Sequence, residues 1–261
     1  MIAGIFHKGS GLGNMLHRYV ATRVLAKDKG YDFSMVAPEN FKGSSFMNLD
    51  MGNPKGHIPW ITEQPSGRVW PSNPEHKFWE EKTNYYNPEF NFIKDNTIID
   101  GEFQDERYFS HRLAEVSEWL KVKLLDTPED LCVIAHRGGE FTLFPELYLL
   151  QEYWDFAISE MRKINPKMKF QVQTDDKLIA QATFPEFEVI SNIGYNWRAI
   201  RYAHYLIVAN SSFSILPSLL GNAKKILAPK YHARHNIGEW SMPQNYYKRY
   251  CYIDKKDYVT S

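Results

Sequence analysis

The chain has 261 residues, and at about 100–200 residues per domain it is long enough for one large domain or two small ones. Its 31 Lys and Arg balance its 31 Asp and Glu, so no basic excess exists for binding a nucleic-acid backbone, and we expect no nucleic-acid partner. The hydrophobic fraction of 43% is ordinary for a globular protein and argues against disorder. No apolar run approaches the roughly 18 residues that a membrane span needs.

The two cysteines, Cys132 and Cys251, fit neither a disulfide framework nor a CxxC metal site. The N-terminus lacks the apolar stretch of a secretory signal. We therefore expect a reduced, cytoplasmic protein with no membrane span, and peripheral contact with a membrane is left open. Aromatic residues make up 15% of the chain, and such side chains either stack on sugars and bases or fill a core.

The first half of the chain alternates short apolar runs with helical periodicity. The region 37–96 differs, because it holds seven of the fourteen prolines, and we predict a long, mostly irregular insertion there. Its aromatic residues favour an ordered loop. The predicted elements of this half are strands at 2–6, 33–36 and 97–100 and helices at 15–24 and 107–125.

The second half follows a candidate linker at 124–130 and shows a cleaner alternation of strands and helices. Its predicted elements are strands at 131–136, 168–173, 187–190, 205–209 and 225–228, with a helix around 154–161. Alternation of this kind predicts a mostly parallel sheet in each half. We expect two Rossmann-like domains, 1–128 and 129–261, with the cleft between them as the default ligand site.

A glycine-rich segment, Lys8-Gly-Ser-Gly-Leu-Gly-Asn14, follows the first predicted strand and opens the first helix. Glycines at such a position let the backbone approach a ligand closely. Their spacing departs from G-x-G-x-x-G, which disfavours a NAD-dependent oxidoreductase. The segment is either a tight strand-to-helix turn or a loop that contacts a ligand.

Charged residues follow two predicted strands of the second half. Arg137 precedes two glycines and Glu140, and its planar fork can bind a diphosphate or simply pair with Glu140 at the surface. Asp175 and Asp176 can accept hydrogen bonds from a ribose or a base, or cap the next helix. No D-x-D motif is present, so we expect no metal site.

Three serines crowd the turn after the predicted strand at 205–209. We place the N-cap of the following helix at Ser214, which puts Pro217 in the first turn. Backbone amides and hydroxyls of residues 211–214 would then point at a ligand. Phosphate is the ligand that such a helix N-terminus favours, and the alternative is an N-cap with more serines than it needs.

Together and in this order, these segments resemble the inverting α-1,2-fucosyltransferases of glycosyltransferase family 11. They are also similar to the wider group that includes α-1,6- and protein-O-fucosyltransferases. The resemblance covers nearly the whole chain except 37–96. It is carried by GLGNMLHRYVATRVLA at 11–26, GEFQDERYF at 101–109, HRGGEF at 136–141, YWDFAI at 153–158, QTDD at 173–176 and ANSSFSILPSLLGNAKKILAP at 209–229.

The resemblance implies a GT-B fold, GDP-β-L-fucose as donor substrate, no cofactor and no metal, and inversion at the fucose anomeric carbon. It implies Arg137 and Glu140 as catalytic candidates, with Arg137 on the donor diphosphate. The remaining implied donor-binding residues are Asp175, Asp176, Ser211, Ser212, Phe213 and Ser214. The implied acceptor-side residues are Gly11, Gly13, Asn14, His17 and Gln104.

We therefore expect fucosyl transfer, α-1,2-linked by the resemblance, to a hydroxyl of an oligosaccharide or glycolipid acceptor. Glu140, Glu146 and His17 are unranked candidates for a base. Two alternatives stay open at this point. One is a GT-B glycosyltransferase that uses another nucleotide sugar. The other is a non-catalytic nucleotide- or glycan-binding module on the same scaffold.

Overall fold

In the computed structural model the chain forms two compact units, residues 1–121 and 122–261. The structure describes residues 1–53, 61–63, 69–71, 77–80, 86–145, 147–230 and 247–258. The division between the units precedes the expected boundary at 128/129 by a few residues. It lies at the start of a non-helical stretch that leads into the second unit.

The first unit is built on a four-stranded parallel sheet. Its elements are β1 (Ile2–Ile5), α1 (Leu12–Lys29), β2 (Phe33–Val36), β3 (Ile61–Glu63), β4 (Val69–Pro71), β5 (Lys77–Glu80), β6 (Thr97–Asp100) and α2 (Leu113–Trp119). The sheet order is β2-β1-β6-β5, and β3 and β4 form a separate antiparallel pair. β1 and β6 are buried along their whole lengths, which is typical of central parallel strands.

Close packing of α1 against β1 depends on Gly4. A Cβ at Gly4 would lie 2.2 Å from Thr22 Oγ1, so only glycine leaves room for the helix at this point. At its far end α1 stops at Gly30, whose φ of 68° is left-handed and whose N–H bonds back to the last turn.

The second unit contains a six-stranded sheet in which all pairings are parallel. Its elements are β7 (Leu131–Ala135), α3 (Gln151–Ile164), β8 (Lys169–Gln173), α4 (Lys177–Thr183), β9 (Glu188–Ile190), α5 (Ile193–Tyr202), β10 (Tyr205–Val208), α6 (Ser212–Leu220), β11 (Lys225–Pro229) and β12 (Cys251–Ile253). The sheet order is β12-β11-β10-β7-β8-β9.

Both faces of this sheet are covered by helices. Cys132 and Ile134 of β7 share a buried cluster with Trp154 of α3. Val133, one residue away on the other face, belongs to a second cluster with Ile200 of α5. The alternation of side chains along β7 thus produces a three-layer unit.

Two predictions about the first unit are wrong in part. The prediction of a mostly irregular region 37–96 missed three short strands there, β3, β4 and β5, of which β5 pairs with β6 in the main sheet. The aromatic pair in the sequence KFWE of β5 favours a strand, and that preference prevails over the proline-rich composition around it.

The helix predicted at 107–125 is much shorter. Only α2 is α-helical, and two 3₁₀ turns, Glu106–Tyr108 and Ser110–Arg112, precede it. Asp105 caps the first turn by accepting a hydrogen bond from the N–H of Arg107. Phe109, with φ of −142°, then ends this run of helical backbone.

The other predicted strands are confirmed to within one residue, while β12 was missed. No helix in the described ranges has both the length and the apolar character to cross a membrane.

Candidate functional site

The sheet of the second unit has a topological switch point, at which the side on which successive strands are added changes. From β7 the chain adds β8 and then β9 on one side, and it returns to add β10, β11 and β12 on the other. Connections that leave two adjacent strands in opposite directions open a crevice at their carboxyl ends, where open α/β sheets bind ligands. Arg137 follows β7, Asp175 follows β8 and Ser211 follows β10. The structure therefore gathers three of the predicted segments at one edge.

Arg137 lies between two carboxylates at this edge. Its Nη2 donates to Glu140 Oε1 at 2.8 Å, and its Nη1 pairs with Asp175 Oδ2. The guanidinium also lies over the ring of Phe141, 5.0 Å from the centroid. The buried Nε of Arg137 finds no hydrogen-bond partner among the described residues. The surface pairing with Glu140 is thus real, and Asp175 is a second partner that sequence reasoning did not foresee.

The two glycines after Arg137 make room for Asp175 and Asp176. A Cβ at Gly138 would lie 2.9 Å from Asp176 Cβ. Gly139 has a left-handed φ of 47°, and a Cβ there would lie 2.6 Å from Asp175 Oδ2. The Gly138 N–H also donates to Asp175 Oδ1 at 2.9 Å, which fixes the carboxylate that holds Arg137.

Asp176 caps α4, which was one of the two alternatives left open for it. Its Oδ1 accepts a hydrogen bond from the Ile179 N–H at 3.2 Å. Its own N–H donates to Thr174 Oγ1 at 3.1 Å. A role for Asp176 on a nucleotide stays a prediction.

Replacing Asp176 with alanine is expected to lower the free energy of unfolding by about 1 kcal/mol, because the cap is lost. Asp176→Asn keeps a capping oxygen without the charge and should stay close to wild type. Urea denaturation of both variants measures this difference. Equal stability of the alanine variant and wild type would contradict the capping role.

The serine segment begins its helix earlier than expected. The N-cap of α6 is Ser211 rather than Ser214, and Pro217 therefore lies inside the helix instead of in its first turn. Ser211 can cap because its Oγ accepts from the Phe213 N–H at 3.4 Å. Ser214 is buried, and its Oγ donates to the Ser211 carbonyl at 2.9 Å, so its hydroxyl is committed inside the protein.

Ser212 and Phe213 complete the start of α6. Ser212 is half-buried, and within the described ranges its hydroxyl has no hydrogen-bond partner. Phe213 packs edge-on against Trp197, with ring centroids 5.8 Å apart. Of the predicted serines, Ser212 is thus the one best able to present both a hydroxyl and a helix-terminal amide to a ligand.

A second polar site lies at the corresponding edge of the first unit. β1 is followed in the chain by β2 on one side, and β6 lies on its other side, so the switch point falls between β1 and β6. Here Gln104 Nε2 donates to Asn14 Oδ1 at 3.3 Å, which joins two of the predicted acceptor-side residues. Gly11 is the N-cap of α1 and has open space where a Cβ would lie. Gly13 is buried in the first turn of α1.

His17 does not reach this edge with its ring. It is fully buried, its Nδ1 hydrogen-bonds to the Gly13 carbonyl at 2.8 Å, and its ring lies 6.1 Å from that of Phe109. These contacts favour a core role over that of a base. Of the other base candidates, Glu140 is bound to Arg137, and Glu146 lies outside the described residues.

Sequence reasoning missed four charged or titratable residues at the same edge. His7 Nε2 lies 2.9 Å from Asp100 Oδ2, and Arg18 Nε lies 3.2 Å from Asp100 Oδ1. Arg18 Nη2 reaches Glu102 Oε1 at 3.2 Å. Burial alone would raise the pKa of Asp100, but the His7 hydrogen bond and the Arg18 charge outweigh it and lower that pKa. The available signal was Arg18, a charged residue that lies among the apolar residues Leu16, Tyr19 and Val20 of the first helix.

Two buried histidines make stability depend on pH. Burial lowers the pKa of His17 and of His136 from the usual 6.5 to about 4. His136 lies directly after β7, where its Nδ1 hydrogen-bonds to Thr174 Oγ1 at 3.0 Å. The unfolded chain therefore takes up protons below pH 6.5, while the folded chain resists protonation until about pH 4.

We expect the free energy of unfolding to fall between pH 6.5 and pH 4, by about 3 kcal/mol for each histidine. Denaturation curves above pH 6.5 and near pH 4 measure this loss. His17→Gln should remove its share of the pH dependence. A His17→Gln profile parallel to that of wild type would contradict the assignment.

No protein-family profile matches the sequence, and no curated protein matches it significantly. Solved structures match it by fold. The α-1,6-fucosyltransferase NodZ, soaked with GDP-fucose, is 12% identical, and the match covers 94% of this chain and 98% of that chain with a TM-score of 0.50. NodZ from Bradyrhizobium is 10% identical, covering 86% and 94%, with a TM-score of 0.49. A family 9 glycosyl transferase from Veillonella parvula is 12% identical, covering 97% and 86%, also with 0.49.

The match to the GDP-fucose-soaked NodZ structure extends over nearly all of both chains. The expected fold class, an α/β fold of GT-B type with two Rossmann-like domains, is confirmed. At 12% identity the likeness is one of fold. In the part of the chain that the structure describes, no group of three or more His, Cys, Asp or Glu is arranged to hold a metal ion.

Proposed function

We propose that this protein is an inverting glycosyltransferase that transfers L-fucose from GDP-β-L-fucose to a hydroxyl of a saccharide acceptor. The observation that carries the proposal is that Arg137 follows β7 and α6 begins after β10, so both lie at the carboxyl ends of two adjacent strands at the switch point of the second unit. A guanidinium and a helix N-terminus both favour a diphosphate. The sequence resemblance to family 11 and the fold likeness to a fucosyltransferase support the same reaction.

Departure of GDP builds negative charge on the β-phosphate as the bond from fucose C1 to the phosphate oxygen breaks. Arg137, the Ser212 hydroxyl and the first amides of α6 are the groups that would stabilise this charge. Such preorganised stabilisation is often the largest contribution to catalysis. The acceptor oxygen forms its bond to C1 from the opposite face, which inverts the configuration.

The carboxylates around Arg137 have different parts in this proposal. Glu140 is 67% exposed, and an exposed pair of this kind contributes only about 0–1 kcal/mol, so a phosphate can replace it at Nη2. Asp175 is also bound to the Gly138 N–H and would keep the guanidinium oriented. Glu140 thus vacates the donor position instead of serving as the base.

The finer features rest on the family resemblance. They are the α-1,2 linkage, independence of metal and an oligosaccharide or glycolipid acceptor. A glycosyltransferase with a different nucleotide-sugar donor is the second candidate, which the Arg137-Gly-Gly-Glu140 stretch permits. A module that binds nucleotide or glycan without turnover is the third.

A thermal-shift panel tests the donor first. GDP, UDP, ADP, GDP-fucose, GDP-mannose and NAD are each added with and without EDTA. We expect GDP and GDP-fucose to raise the midpoint selectively, and EDTA to change nothing. A shift caused only by UDP, ADP or NAD, or no shift at all, would overturn the GDP-fucose proposal.

A further inference from the structure

The segment that leads into β12 holds the carboxyl-terminal end of α6. Arg249 precedes β12, and its Nη1 donates to the carbonyls of Ser218 and Leu219 at 3.1 and 2.9 Å. The same Nη1 donates to the Gly221 carbonyl at 2.5 Å, and Nη2 donates to that of Ala223 at 3.0 Å. The last carbonyls of a helix have no partner within it, and a cation is favoured there. One guanidinium thus binds the end of α6 and the turn that follows it.

Tyr250, the next residue, adds a side-chain contact to α6. Ser218 is fully buried, and its hydroxyl donates to the Ile215 carbonyl at 2.8 Å. The hydroxyl oxygens of Ser218 and Tyr250 lie 2.6 Å apart. Because Ser218 has one hydroxyl hydrogen and gives it to Ile215, Tyr250 is the donor in this pair. Arg249 and Tyr250, which together form what we call the α6 clamp, therefore hold backbone and side-chain groups of the last turn.

The backbone of α6 is poorly able to hold the helix by itself. α6 has nine residues, and helices this short are marginal in water without tertiary contacts. Pro217 lies inside it and has no N–H to donate to the Phe213 carbonyl, so one helical hydrogen bond between the first and last turns is missing. The helix therefore depends on contacts at its two ends, which are the Phe213 ring on Trp197 at the start and the α6 clamp at the end.

We infer that Arg249 and Tyr250 are positioning residues for the donor diphosphate, on which they act by fixing the direction of α6. This inference rests on the proposed function, in which Ser212 and the first amides of α6 contact the phosphates. Nine residues at 1.5 Å each make α6 about 13 Å long, so the α6 clamp is too far from the N-terminus to touch the phosphates. The N–H groups of a helix N-terminus bind phosphate by pointing at it together, and a tilt of α6 would misdirect all of them. All of these residues belong to the second unit.

Titration of GDP and of guanosine distinguishes this role from a general loss of stability. Arg249→Ala is expected to weaken GDP binding about tenfold, equivalent to one hydrogen bond to the phosphate, and to leave guanosine binding unchanged because guanosine carries no phosphate. Tyr250→Phe removes only the hydroxyl and should weaken GDP binding about threefold with the same selectivity. Calorimetry is carried out at a temperature at which circular dichroism shows each variant to be folded. Arg162→Ala is the matched control, because Arg162 lies in the last turn of α3 in the same unit, and it should bind both ligands as wild type does.

Two results would overturn the inference. One is wild-type affinity for GDP in folded Arg249→Ala, and the other is an equal loss of affinity for GDP and guanosine, which indicates a general disturbance of the unit. If Arg249→Ala does not fold, Tyr250→Phe decides by the same two criteria. In each of these cases GDP binding by wild type leaves the proposed function intact and rejects the α6 clamp alone. If wild type binds no GDP, the proposed function fails and this inference with it.

Discussion

Replacing Arg137 with alanine is expected to lower the rate of fucosyl transfer by about 10²–10³-fold, the usual effect of removing one group that stabilises developing charge. Arg137 is the cation that the structure holds at the switch point of the second unit, between Glu140 and Asp175. Without it, Asp175 and Glu140 would leave negative charge at the position proposed for a diphosphate. The loss should therefore appear both in kcat and in the affinity for GDP.

The measurement is initial-rate kinetics with GDP-fucose, together with calorimetric titration of GDP. Arg137→Lys retains the charge without the planar fork and should fall between wild type and alanine. Arg162→Ala is the control, because Arg162 lies on α3 of the same unit, where its guanidinium lies over Phe170, 5.5 Å from the ring centroid. Near wild-type transfer by Arg137→Ala would show that this residue does not stabilise the leaving group.

Replacing Gly4 with alanine is expected to destabilise the first unit by about 3 kcal/mol, the upper end of the usual cost of overpacking. The new Cβ would lie 2.2 Å from Thr22 Oγ1 and 3.1 Å from Met35 Cε. Gly4 is in the centre of a buried strand, and Thr22 is in the middle of α1, so neither backbone can move away freely.

The double variant Gly4→Ala with Thr22→Ala tests the cause. Thr22→Ala removes the closest clashing atom. The double variant should therefore be more stable than Gly4→Ala alone. Urea denaturation of the two single variants and the double variant measures this coupling. Additive losses in the double variant would mean that the clash with Thr22 is not the source of the instability.

Local signals were enough to predict most of the fold. The buried strands β1, β7 and β10 are short apolar runs, and α1 shows clear helical spacing, so each could be located from its own residues. The errors arose where one local preference competes with another. β5 lies within a proline-rich region, and the start of α6 was placed at Ser214 because Pro217 was expected in the first turn, whereas Ser211 makes the cap.

The candidate site was predictable only as separate segments. Arg137 and the serines were identified because each follows a strand and has the chemistry of a phosphate ligand. Their contacts were not predictable, since Asp175 is 38 residues from Arg137 and His7 is 93 residues from Asp100. The strand order of each sheet brings these residues together, and a sequence pattern does not contain that order.

The most direct test of the central claim is a transfer assay with the wild-type protein. GDP-fucose and a set of saccharides that end in different sugars are incubated with the protein, and GDP release and fucosylated products are measured. The account predicts GDP release that depends on an acceptor, and a product with inverted configuration at the fucose anomeric carbon. GDP-fucose binding without any acceptor-dependent product would contradict it and would favour a binding module on a glycosyltransferase fold.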